Sequence, residues 1–258
     1  ITTRIELADV DLTKLIRRLE FMLGYPFPVP VNGKLSLKAD ATIPLGKLRS
    51  LKDYAFHGNL TLTGASLYRV DLGHVSACVD LADGVLDLTN VRGRLVDHPN
   101  GGPDNPPAAV GDVPLTGPLP PGGFRGALRA GLSPPGKLSA RFEGNRLPMG
   151  ELAAPLLPRP TPLSGLATMT LEAAADLSAA SDPAAWSGSG TAQSREIRYR
   201  DAVLDAVAVR FRLDSGRLDV EDLTAQLLGR PLAARGTLDL KGPRAFQATL
   251  DVTGWDLA

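Results

Sequence analysis

The stretch Val203–Leu227, VLDAVAVRFRLDSGRLDVEDLTAQL, alternates apolar and polar residues so regularly that little choice of local fold remains. Val207, Val209, Phe211 and Leu213 occupy every second position, separated by Ala208, Arg210 and Arg212. Successive side chains of a strand point to opposite faces, so this spacing gives a strand with one apolar and one polar face. Ser215-Gly216 then supplies a tight turn, and Leu218 and Val220 alternate with Arg217, Asp219 and Glu221. A two-residue hairpin loop fixes the register by counting. Leu213 is expected to face Leu218, and Phe211 to face Val220, on one side. On the other side Asp214 faces Arg217, Arg212 faces Asp219 and Arg210 faces Glu221. Such opposite-charge pairs contribute roughly 0.2–1 kcal/mol each, and a slip by one residue would break them all.

Shifting the sequence against itself by 132 residues reveals that this hairpin is the second of two copies. Pro30, Gly33, Gly58 and Gly84 fall on Pro162, Gly165, Gly190 and Gly216. Val75, Ala77, Val79 and Leu81 fall on the four apolar residues of the first strand, and Leu86, Asp87 and Leu88 on Leu218, Asp219 and Val220. In the first copy Asp80 would face Asp87, so its charge ladder is poorer. Further on, Gly126, Leu128 and Gly144 match Gly236, Leu238 and Gly254 at a spacing of 110, so the first copy carries an insertion. Asp97–Gly123, dense in Pro and Gly, cannot form a ladder and reads as an irregular loop inserted between two strands.

A third similarity frames the copies. Arg4–Leu15, Arg141–Leu152 and Thr249–Ala258 each read as a strand ending in a turn, followed by Leu or Met. The first continues as a helix, with Asp11 or Thr13 as its cap, an apolar stripe of Leu12, Leu15, Ile16 and Leu19, and Gly24 and Pro26 at its end. The second contains Pro155 and allows one short helical turn. The expected organisation is a first repeat over 1–140 containing the 97–123 loop, a second over 141–248, and the start of a third over 249–258. Consecutive strands joined by short Gly turns make the fold mainly β, an antiparallel meander with one or two short helices at the repeat starts.

Composition narrows the chemistry. The 28 basic and 28 acidic residues cancel, which recommends neither nucleic acid nor an anionic surface as a partner of the chain as a whole. One cysteine, Cys78, forms no internal disulfide and excludes a multi-cysteine metal cluster. No window approaches the roughly 20 apolar residues of a membrane span. A start at Ile1 reads as a segment of a longer chain. The phosphate-loop spacing Gly131…Gly136-Lys137 fails physically, because Pro134 and Pro135 remove two N–H donors and Leu138 replaces the magnesium-binding hydroxyl. His57, His74 and His98 have no carboxylate or cysteine at ligand spacing, and Asp9 and Asp11 read as turn and cap residues. With no nucleophile–base spacing either, the sequence points away from an enzyme and calls for neither metal nor cofactor.

Several segments carry a resemblance to a known family. PVNGKLSLKAD and PLSGLATMTLEA, then HGNLTL and GSGTAQ, are followed by DLADGVLDLTNVRGRL and RLDSGRLDVEDLTAQLLG, with RGTLDLKGP and LDVTGWDL closing the unit. This pattern of glycine and apolar spacing resembles the repeats of AsmA-like envelope proteins, including the TamB group. The resemblance implies sheets curled into an open, elongated, apolar-lined groove related to bridge-like lipid transfer proteins. It further implies a periplasmic location, an inner-membrane anchor outside this segment, and a role in phospholipid transport between the inner and outer membranes or in outer-membrane homeostasis.

An apolar sheet face must be covered by a second sheet, by its own curled far side, or by acyl chains. Acyl chains gain roughly 0.8 kcal/mol per buried methylene and need no directional pocket, which suits a sliding track. The expected groove-lining residues are Leu35, Leu37, Leu60, Leu62, Val75, Ala77, Val79, Leu81, Leu86 and Leu88 in the first copy. In the second they are Val207, Val209, Phe211, Leu213, Leu218 and Val220. The competing readings are a structural or adhesive β-repeat protein, in which these residues form a closed core, and a scaffold whose edge strands engage outer-membrane assembly proteins.

Overall fold

Period-two alternation runs through nearly the whole chain, and the computed structural model turns it into thirteen strands and two helices. The structure describes residues 2–23, 31–44, 46, 51–67, 70–95, 116–132, 136–153, 162–180, 182, 185–239 and 246–251. β1 (Thr2–Asp11) leads into α1 (Leu12–Leu23), and β2 (Val31–Thr42), β3 (Ala55–Leu67), β4 (Val70–Ala82) and β5 (Val85–Arg94) follow. Next come β6 (Gly123–Gly131), β7 (Lys137–Pro148), α2 (Met149–Ala153) and β8 (Leu163–Asp176). The chain continues through β9 (Ser187–Tyr199), β10 (Ala202–Asp214), β11 (Arg217–Leu227), β12 (Arg230–Asp239) and β13 (Phe246–Asp251). Each strand pairs antiparallel with its neighbours in sequence, and β1 and β13 are left as the edges. The fold is one open antiparallel meander sheet. The junction expected at 140/141 lies inside β7, so both copies share one uninterrupted ladder.

The hairpin that anchors the sequence argument is β10–β11. Leu213 pairs with Leu218, Phe211 with Val220, Arg212 with Asp219 and Asp214 with Arg217, as counting predicts. One pair is different: Arg210 lies opposite Asp222 and not Glu221, because the register shifts between Arg210 and Phe211. Alternation cannot reveal a bulge, which adds one residue to one strand without changing the apolar spacing on either side. The charge contact of this hairpin also differs, with Arg217 Nε donating to Asp219 Oδ1 at 2.8 Å along β11. Ser215 and Gly216 have φ of 50° and 79°, the left-handed pair of a type I′ turn. Asp83 and Gly84 repeat it with φ of 53° and 73°.

The internal repeat extends to the irregularities. Gly33 and Gly165 adopt φ of 129° and 132°. The β1–β2 register shifts between Leu7 and Val10, and the β7–β8 register between Gly144 and Leu147, with Asp9 and Arg146 both left-handed at φ 51°. Helix α1 begins at Leu12 and α2 at Met149, in the same relation to those bulges. Pairing corrects one offset. Leu88 and Val91 face Leu128 and Gly126, whereas the matching Val220 and Leu223 face Gly236 and Ala234, so β6 corresponds to β12 at a spacing of 108 and not 110. Glycines at alternate positions made the two-residue difference invisible to pattern matching, since either offset preserves the face.

Asp11 is the cap of α1: its Oδ1 accepts from the Lys14 N–H at 3.2 Å. Asp9 is the bulge residue, its N–H donating to Ser36 Oγ at 3.2 Å. Most of the 97–123 insertion lies outside the described residues. Its returning limb is held by Asn145 Nδ2 donating to Leu119 O at 2.6 Å and Arg125 donating to Gly117 O at 3.0 Å, and Gly123 already belongs to β6.

The chain exposes 16712 Å², against about 11,000 Å² expected for a compact monomer of its mass. A single layer contributes to the excess, because among the described residues no second sheet stacks on it. Among the described residues, Leu147 is the one large side chain that is fully buried.

Candidate functional site

The registers assemble the apolar residues into continuous rows that run across the strands. One row reads Val10, Leu35, Leu62, Val75, Gly93, Phe124, Gly144, Met169, Ala192, Val209, Leu223, Ala234 and Leu250, one residue from each strand. A second reads Ile5, Ala39, Gly58, Val79, Leu88, Leu128, Ala140, Ala173, Gly188, Leu213, Leu218, Leu238 and Phe246. Neither row contains a polar side chain. Between them, Leu7, Leu37, Leu60 and Ala77 cross β1–β4, and Val91, Gly126, Phe142, Leu171, Gly190, Phe211, Val220, Gly236 and Ala248 cross β5–β13. The β4–β5 bulge separates these two half-rows. At about 4.8 Å per strand, each full row spans roughly 60 Å along the sheet.

All sixteen expected lining residues lie on this one face. Leu35, Val75, Ala77, Val79 and Val207 are buried there, and the other eleven are half-buried. The residues that link the two copies, Phe124, Leu128, Phe142, Met169 and Leu171, belong to the same face and were not among the expected set. Their alternation is visible in the sequence but is diluted by Gly126, Gly144 and a run of alanines in β8. Only the pairing joins them to the rest.

Glycine keeps the rows smooth. A Cβ on Gly93 would stand 2.5 Å from Phe124 Cζ, and one on Gly190 would stand 2.5 Å from Phe211 Cζ. Each ring therefore lies flat over the glycine of the neighbouring strand and does not project from the sheet. Phe124 and Phe142 stack at 5.7 Å between centroids.

Packing on this face is concentrated toward the strand ends. At one, Leu152 of α2 joins a cluster of Val70, Val75, Leu95, Phe124 and Leu147. At the other, Leu177, Ala180 and Trp186 of the β8–β9 connection pack on Ala130 and Leu138, and Trp186 Nε1 donates to Ala180 O at 2.9 Å. These contacts make rims, and among the described residues no second sheet covers the span between them.

The opposite face is polar and ion-paired. Arg125 Nε donates to Glu143 Oε2 at 2.8 Å, and Arg141 meets Glu172 at 3.0 Å. Arg4, Asp40, His57, Asp80, Asp87 and Arg129 form one cross-strand row. The expected Asp80–Asp87 juxtaposition is present, flanked by His57 Nδ1 at 2.7 Å from Asp80 and by Arg129 at 3.3 Å from Asp87. His57 thus has a carboxylate neighbour, supplied across the sheet and not by sequence spacing. Shallow depressions of about 420 and 720 Å³ lie among these charged residues. Cys78 Sγ lies 3.5 Å from Asn59 Oδ1 and 3.6 Å from Asn90 Nδ2, with amides as its polar neighbours. Among the described residues no three His, Cys, Asp or Glu side chains are grouped to hold a metal, and no helix is long and apolar enough to cross a membrane.

The fold and face define a class: a single-layer antiparallel β-sheet with one continuous apolar face and one ion-paired face. No family model, no curated protein and no solved structure matches the chain.

Proposed function

We propose that this chain is a lipid-conducting segment of an AsmA-like envelope protein, in which the apolar face shields phospholipid acyl chains in transit between membranes. The observation that carries the reading is the pair of apolar rows crossing all thirteen strands without a polar side chain and, among the described residues, without a second sheet over them. A face built as a private core would need an opposing layer, and none is present among the described strands. Acyl chains laid along the rows would supply that layer, each methylene contributing roughly 0.8 kcal/mol. Rings that lie flat over Gly93 and Gly190 favour passage. The resemblance to AsmA-like repeats supports a periplasmic site of action, with any membrane anchor outside this segment.

The test is photo-crosslinking in a Gram-negative host combined with lipid analysis of the purified protein. A crosslinking residue at Val79 or Phe211 is expected to capture phospholipid, and one at Arg212 on the other face is not. Purified protein free of phospholipid, with no adduct at Val79 or Phe211, would overturn the proposal. A second reading is a scaffold that receives a strand from a barrel precursor at a sheet edge, β1 and β13 being the edges among the described strands; capture of such precursors through β13 without lipid adducts would select it.

A further inference from the structure

Helix α1 carries a charge pattern that the fold does not require. Leu12, Leu15 and Ile16 are half-buried where the helix packs on β1 and β2, while Lys14, Arg17 and Arg18 are exposed. Spaced at i, i+3 and i+4, these three cations share one side of the helix, and Glu20 is its single acid. None of the ion pairs described above involves them. The second copy provides an internal control. Helix α2 follows the equivalent strand and bulge, yet its one charged residue is Glu151, standing where α1 has Lys14. Repeat geometry therefore needs a short helix at this point and does not need a basic one.

Position gives the cations a use. Helix α1 starts two residues after Val10, the β1 residue of one of the two apolar rows that cross all thirteen strands. A phospholipid whose tails lie on that row at β1 leaves its phosphate at the strand ends, where α1 lies. We propose that Lys14, Arg17 and Arg18 of α1 bind an anionic phospholipid surface and hold lipid phosphates beside the row where it crosses β1. The proposal rests on the reading of the apolar face as a lipid track. Charge complementarity is its warrant: a cationic cluster on an otherwise neutral chain is attracted to an anionic leaflet and falls off within a Debye length.

The experiment is flotation of the whole chain with vesicles of phosphatidylcholine alone or mixed with phosphatidylglycerol, using wild type and the K14E/R17E/R18E variant. Wild type is expected to float with the mixed vesicles at low salt and to detach as salt rises. The variant should lose partitioning by on the order of a hundredfold. Its circular dichroism should match wild type, because all three sites are exposed. Equal flotation of wild type and variant, or equal flotation on both vesicle compositions, would overturn the proposal. So would release of the protein from mixed vesicles by polyglutamate matched to them in total charge, which would mark an acidic protein as the partner. Crosslinking at Val79 and Phe211 keeps the two readings apart. Lipid adducts that persist when flotation shows no charge dependence sink the α1 docking alone, whereas absence of adducts in a protein that floats as expected sinks the track and leaves α1 as a surface anchor.

Discussion

Gly190 lies under the ring of Phe211, and the absence of its side chain is what lets that ring lie flat. A Cβ there would also come 2.5 Å from Thr170 O, so both a movable ring and a fixed backbone oppose it. Gly190→Ala is expected to destabilise the protein by about 1–3 kcal/mol, the range for overpacking a close-fitted site. Pairing it with Phe211→Leu should recover part of that loss and not all, because the carbonyl clash remains; full recovery in thermal melts would show that the ring alone sets the cost. The glycine was legible in the sequence as punctuation of the repeat, but its role was not. Sequence placed Phe211 opposite Val220 on β11, whereas the contact that matters is with Gly190 on the other side of β10, and one strand's alternation cannot name both neighbours.

At the scale of elements, clean alternation is legible in the sequence, as where Leu218 and Val220 alternate with Arg217, Asp219 and Glu221 in β11. It is less legible where glycine or alanine flattens the pattern, as in β8, which runs from Leu163 to Asp176. Bulges stayed hidden, since a bulge is a decision between two strands. The helix start was clear from Asp11, whose carboxylate takes the Lys14 N–H. Asp11→Ala should cost about 1 kcal/mol of local helix stability. Amide exchange should therefore quicken over residues 12–18 while β4–β11 keep their protection; a loss spread through the sheet would show that α1 is integral to it and not an attachment at its edge. A similar logic covers His57 and Asp80, adjacent only because β3 and β4 pair.

For the molecule as a whole, a one-layer sheet has a mechanical consequence. Each strand is hydrogen-bonded only to its neighbours in sequence, so stability accumulates along the sheet largely as nearest-neighbour terms, as in repeat proteins. Amide protection is expected to peak over β5–β8, where the clusters around Phe124 and Leu138 both pack, and to decline toward β1 and β13. Uniform, all-or-none protection across thirteen strands would contradict this and imply that something covers the face. By itself the sequence determined the strand class, the turn positions, the two-copy plan and which side of each strand is apolar, because these follow from spacing within about ten residues and from a repeat that can be counted. Only the tertiary structure decided that the copies fuse into one open sheet, and that the apolar sides align into rows crossing all thirteen strands, with the basic helix α1 at their β1 end. Those outcomes depend on register between strands and on whether a second layer arrives, and neither is written in the periodicity of any single strand that Val203–Leu227 exemplifies.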